Sequence, residues 1–124
     1  MDIELSVDYA IGINQSMQQT AVQANTVRHP DRLERIINQI NKMINSNEDK
    51  IKILSYILRT FPIEQPFNNG NHRTAYAIFE KYCEYFGEEK LALAIRGKEA
   101  EEFVRYIEFL TEKQVEDKLR KYLL

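Results

Sequence analysis

Apolar residues recur in this chain at intervals of three and four, and this helical spacing, not the two-residue alternation of a half-buried strand, runs through nearly all of it. Leu33, Ile36, Ile37, Ile40 and Met43 give the clearest case, a single stripe running along one helix face. Four glycines and three prolines are the few interruptions in 124 residues. The expectation is an all-α bundle, a single domain over residues 1–124 that buries roughly two-thirds of the surface its unfolded form exposes.

Ser6 suits the N-cap of a first helix through Tyr9, Ile11, Ile13 and Met17 that ends near Gln19. Residues 20–29 have no clear period and carry the β-branched Thr20, Val22, Thr26 and Val27, which fits an extended or hairpin-like connection. Pro30 sits where proline is tolerated, in the first turn of a second helix. Asn45, Ser46 and Asn47 break that helix, and Ser46 with Asp49 has the spacing of a capping box for a third, through Ile51, Leu54, Leu58 and Phe61. Ile53 and Ile57 make the third helix apolar on more than one side, so it is expected in the middle of the bundle, closed by Pro62. A fourth helix from about Asn71 to Phe86 stops at Gly87. Beyond it come Leu91 to Ile95, a helix through Phe103, Ile107 and Leu110, and a last helix that Thr111 and Gln114 cap and that carries Val115, Leu119 and Leu123.

With 17 basic and 19 acidic residues, net charge −2, the chain has no electrostatic footprint for nucleic acid or an anionic membrane, so neither is expected as a partner. No stretch approaches the ~20 apolar residues that cross a bilayer, and the first residues lack the pattern of a secretory signal, so a cytoplasmic protein is expected. Cys83, the only cysteine, permits neither an intrachain disulfide nor a thiolate metal cluster. Its setting beside Tyr82, Tyr85 and Phe86 marks it as a packing residue.

Between the third and fourth helices runs Pro66-Phe67-Asn68-Asn69-Gly70-Asn71-His72-Arg73-Thr74. A polar, glycine-containing turn that opens a helix can converge its backbone N–H groups on one point, where the orphan donors and positive dipole end of the helix add to them. Arg73 contributes a planar guanidinium fork. The natural ligand of such an arrangement is a phosphate.

These residues resemble the signature of the Fic/Doc (Fido) family, H-x-F-x-(D/E)-G-N-x-R with threonine often next. Phe67, Gly70, Asn71, Arg73 and Thr74 match it. The resemblance to the short Doc-type, or death-on-curing, branch extends to the segment Asn25 to Glu34, without the family's glycines, and to the order and length of the helices. It implies a Fic/Doc-type helical bundle with a central helix following an anion-binding loop, and a small β-hairpin flap near residues 20–29 that an extended target peptide joins by strand addition. An ordinary helix connection fits residues 20–29 equally well.

The resemblance also implies transfer of AMP or phosphate from ATP or another nucleotide to a hydroxyl of a target protein, with Mg²⁺, by the toxin of a toxin–antitoxin pair. Two positions depart from the family. Gln65 stands where a histidine deprotonates the accepting hydroxyl, and a carboxamide has no usable basicity, so a factor of about 10² to 10⁴ in rate is at stake. Asn69 replaces the acidic residue that binds Mg²⁺; its side-chain oxygen can still ligate a hard cation but brings no charge, which lowers metal affinity. By resemblance Gln65 and Arg73 occupy the catalytic positions, Asn69 the metal position, and Asn68, Asn69, Gly70, Asn71, His72 and Arg73 the phosphate-binding set. His72 reads either as a surface histidine or as a substitute base. Thr60 to Glu64, the nearest match to the family's inhibitory motif, abuts the signature and cannot fold back over it, so control, where needed, would fall to a separate antitoxin protein, or the two substitutions make control unnecessary. Two functions follow: a transferase of weakened or altered activity, or a non-catalytic relative that binds nucleotide or an antitoxin-like peptide.

Overall fold

The computed structural model describes residues 4–16 and 27–123. The expected end of the first helix, Met17 to Gln19, and most of the expected flap lie outside them. The described residues are mostly helical: α1 Val7–Ser16, α2 Pro30–Asn45, α3 Lys50–Glu64, α4 Asn71–Phe86, α5 Glu89–Arg96, a short α6 Glu101–Arg105 and α7 Glu112–Tyr122, with 3₁₀ turns at Lys98–Ala100 and Ile107–Phe109. No strand occurs among them; extended pairing is confined to one antiparallel β-bridge between Val27 and Phe67.

Local chemistry explains where the helices begin. The Ser6 hydroxyl accepts the Tyr9 N–H at 3.0 Å and so caps α1, and the Asn41 carboxamide of α2 both donates to and accepts from the Leu5 backbone at 2.8 Å, fastening the entry to α1. Pro30 fills the first turn of α2. The expected Ser46–Asp49 capping box does not form. Asn47 takes a left-handed conformation (φ 53°) that turns the chain, the Ser46 hydroxyl donates back to the Lys42 carbonyl, and Asp49 itself caps α3 by accepting the Ile51 N–H at 2.9 Å. The reciprocal box expected at Thr111 and Gln114 is present at the start of α7.

Helix α3 packs against α2, α4 and α7, as its apolar breadth requires, and buries Ile51, Ile53, Leu54, Ile57, Leu58 and Phe61. Helix α4 lies along α3 and also touches α1 and α5. Pro62 does not close α3. Its missing N–H removes one hydrogen bond in the last turn, a loss the helix tolerates because Pro62 is buried in the core, and helical backbone continues to Glu64. Helix α4 has the expected bounds and ends on Gly87 at φ 74°, with Ala75, Ile78, Phe79, Tyr82 and Cys83 inside. Burial pushes the Cys83 thiol up to about 12, so it stays protonated.

The segment expected as one helix through Phe103, Ile107 and Leu110 breaks at Tyr106 into α6 and a 3₁₀ turn. Residues four apart meet the core in both arrangements, so periodicity does not separate them. The break lets the chain turn toward α3, where Arg59 Nε donates to the Leu110 carbonyl at 2.8 Å. Leu123 lies past the end of α7 and is partly exposed, not part of its buried stripe.

Asp49 joins two elements, since Arg120 Nη2 of α7 lies 2.7 Å from its Oδ2. That hydrogen bond, and then the Ile51 N–H, hold the Asp49 carboxyl below the usual carboxylate range. The contribution is therefore complete above the ordinary value of about 4 and disappears as pH falls through the lower folded-state value. Asp49→Ala is expected to lower the urea midpoint at about pH 7 and to do so progressively less toward about pH 2.5; an equal deficit at both would refute the assignment.

Candidate functional site

The connection from α3 to α4 is held at both ends by left-handed backbone. Gln65 follows α3 at φ 47°, its N–H donating to the Phe61 carbonyl at 2.9 Å, and Gly70 precedes α4 at φ 75°. Glycine adopts this conformation freely, whereas a residue with a Cβ does so at a cost of about 1 kcal/mol. Between them Phe67 is fully buried with its ring stacked on that of Phe61, centroids 6.5 Å apart. The Pro66 carbonyl accepts the N–H groups of Arg28 and His29 at 2.8 and 3.0 Å, and Arg32 Nη1 donates to the Glu64 carbonyl at 3.0 Å. The segment leading into α2 thus braces the loop from one side.

Asn71 braces it from within. Its Nδ2 donates to the Phe67 carbonyl at 3.0 Å and its Oδ1 accepts the Phe67 N–H at 3.1 Å. The resemblance puts Asn71 in the phosphate-binding set; its carboxamide is engaged by the backbone of the loop. From the opposite side Asn14 of α1, fully buried, donates to the Asn69 carbonyl at 2.8 Å and to Thr74 Oγ1 at 3.0 Å. Asn14 was not anticipated. Its only sequence signal is a carboxamide on the same side of α1 as Ala10, one turn earlier.

The predicted residues divide between two places. Gln65, Asn68 and Asn69 are exposed on the loop itself. His72 and Arg73, in the first turn of α4, line a cleft of about 760 Å³ between α4 and the α5–α6 region, whose other walls include Tyr76, Ile95, Arg96 and Lys98. The N-cap of α4 is Gly70, which has no side chain to cap the first turn of the helix.

Charge on the cleft wall is unevenly engaged. Arg96 reaches Glu80 at 3.2 Å and lies 5.8 Å above the Tyr76 ring, while Arg105 reaches Glu101 at 3.2 Å. His72 Nε2 lies 3.2 Å from Glu108 Oε1. The Tyr76 hydroxyl donates to the Ala92 carbonyl at 2.9 Å, and burial, followed by Glu80, pushes that phenol up and keeps it neutral. Arg73 and Lys98, both exposed, have no hydrogen bond or ion pair with any described residue. The contributions of Tyr76, Arg96, Lys98 and Arg105 were not foreseen, because the turns that bring α5 and α6 against α4 leave no motif.

The loop offers a divalent cation few anionic oxygens. Hard cations take carboxylate and carbonyl oxygens, and the loop offers no carboxylate, while the Asn69 carbonyl already accepts from Asn14. The nearest acid in sequence, Glu64, lies 3.8 and 3.9 Å from Arg32 and Arg35. Among the described residues no group of three His, Cys, Asp or Glu is placed to hold a metal, and no helix is long and apolar enough to cross a membrane. No protein-family model matches the chain, and neither does a curated protein or a solved structure.

Removing Asn14 would leave two buried acceptors of the loop without their donor. Asn14→Ala is expected to cost about 1–3 kcal/mol of stability in urea unfolding and to speed amide hydrogen exchange over residues 65–74 more than over α7. Equal acceleration in both regions would mean that Asn14 supports the fold generally and not the loop.

Proposed function

We propose that this chain is a Fic/Doc-like protein, of the Doc-type branch, that holds the phosphates of a nucleotide at the head of the cleft, with transfer of AMP or phosphate to a protein hydroxyl weakened or lost. The observation that carries the reading is Arg73, a guanidinium in the first turn of an uncapped helix, on a cleft wall, with no partner among the described residues. A cation in that position works against the helix dipole, and an anion bridging it to the helix N–H groups reverses the sign of that interaction. The likeness of Phe67, Gly70, Asn71, Arg73 and Thr74 to the family signature supports phosphate as the anion. A toxin–antitoxin pair, with an antitoxin as protein partner, is the setting the resemblance suggests.

Gln65 argues for loss of chemistry. It can accept or donate a hydrogen bond and orient a hydroxyl, but it takes no proton near neutral pH. One observation favours residual activity instead. His72, held by Glu108 through Nε2 on the wall that also carries Arg73, has a second ring nitrogen that would be the proton acceptor once Nε2–H is given to the carboxylate. In that reading His72 replaces the family histidine and Glu108 fixes its tautomer.

Isothermal titration with ATP and with adenosine tests the site. ATP is expected to bind and adenosine to bind much more weakly, with Arg73→Ala reducing ATP affinity about 10-fold or more. Equal binding of both ligands, or an unchanged affinity in Arg73→Ala, would remove the phosphate site. Transfer is read separately with α- and γ-labelled ATP and a cell extract. The chain is expected to label little, and Gln65→His with Asn69→Asp to label more; label that His72→Asn abolishes would favour the second reading.

A further inference from the structure

We propose that Asn69 is a self-modifying residue of the folded chain, its side-chain amide attacked by the backbone nitrogen of Gly70 and converted to a carboxylate with loss of ammonia. The inference does not depend on the phosphate reading of the cleft.

Of the asparagines in the chain only Asn69 is followed by glycine. A backbone nitrogen that attacks the preceding side chain must come within bonding distance of Cγ, and a Cβ on its own residue crowds that approach; glycine has none. The fold leaves the reacting groups accessible. Asn69 is exposed, Gly70 is half-buried, and the Gly70 N–H donates to no described residue. Asn38 and Asn41 are the contrast, since they lie inside α2, where the next N–H is tied into the helix.

The nucleophile is also activated. An amide nitrogen attacks only after it loses its proton, and the anion so formed spreads its charge onto the carbonyl oxygen of the same peptide unit. That oxygen is the Asn69 carbonyl, to which the buried Asn14 carboxamide donates at 2.8 Å. A hydrogen bond to the charged form favours that form, so Asn14 acidifies the Gly70 N–H. The positive end of α4, for which Gly70 is the N-cap, acts in the same direction.

The Gly70 N–H gives its proton to solvent hydroxide, its nitrogen bonds to Asn69 Cγ, and the Cγ–Nδ2 bond breaks as Nδ2 takes up a proton and departs as ammonia. Water then opens the cyclic imide. Addition at Cγ restores the ordinary backbone with an aspartate side chain, whereas addition at the backbone carbonyl carbon routes the chain through Cγ as isoaspartate. A water enters, an ammonia leaves, and nothing is oxidised or reduced. The loop gains a negative charge one residue before the N-cap of α4, where the helix dipole favours it.

The test incubates the full chain at about pH 8, folded or unfolded in guanidinium chloride, and follows the tryptic peptide of residues 60–73 for a gain of about 1 Da that fragmentation places at Asn69. Labelling by isoaspartyl methyltransferase reads the second product. Conversion is expected to be at least as fast folded as unfolded. In Asn14→Ala, checked for folding by circular dichroism, the folded rate should fall while the unfolded rate stays as in the parent chain. Gly70→Ala should slow conversion about tenfold or more in the unfolded chain, where the folding of the variant does not enter. Unaltered mass, a folded rate below the unfolded one, a folded Asn14→Ala chain that converts as fast as the parent, or an unchanged unfolded rate in Gly70→Ala overturns the inference.

Discussion

Two carboxamides fix the position of everything at the head of α4. Asn71 ties the loop to itself through the Phe67 backbone, and Asn14 ties it to α1 through the Asn69 carbonyl and the Thr74 hydroxyl. Asn14 and Thr74 are fully buried, where a polar group without a partner is expensive, so these bonds admit few alternative arrangements. The aromatic stack of Phe61 and Phe67 adds an apolar anchor to the same short segment. What the loop presents outward is therefore set from inside the bundle. Arg73 emerges where it does because Thr74, its neighbour, is locked inward.

The backbone of the loop carries strain at one end and relief at the other. Gly70 turns left-handed without a Cβ to obstruct it, while Gln65 makes the same turn with one. The neighbours of Gln65 account for its persistence: Pro66 is held by two N–H groups from the segment before α2, and Phe67 is sealed in the core. Over-determined strain of this kind is characteristic of positions that a site must hold in one orientation. Gln65 occupies the position at which the resemblance implies a base, and its carboxamide takes no proton near neutral pH.

Much of the helix layout is legible in the sequence because the signals are local. The stripe Leu33 to Ile40, the αL glycine at 87, the Thr111–Gln114 box and the breadth of α3 each depend on residues within two turns of one another. The errors share a cause as well. Ser46 and Asp49 have capping-box spacing, but Asn47 turns the chain between them; Pro62 ends many helices, yet in a last turn it removes one bond and stays; Tyr106 breaks a segment whose period continues through it. In each case tertiary contact decides among locally equal options. The site divides in the same way. The loop and Arg73 are visible as a motif, whereas Asn14, Lys98 and Tyr76 reach it from other parts of the chain, and no spacing rule links residues that meet only after α1 and α5 have packed on α4.

The asymmetry of charge around the cleft is the last step in connecting fold to function. Acidic and basic residues are nearly balanced over the chain, so which cations are paired around the cleft is a property of the fold and not of composition. Ion pairs take Arg96, Arg105, Arg32 and Arg35 out of the count, and they do so on exposed surfaces where each pair contributes little stability. Arg73 and Lys98 have no such pair among the described residues, and Arg73 stands next to the positive end of α4. Tyr76 and Ile95 line the same cleft, so the fold sets an apolar wall beside these cations.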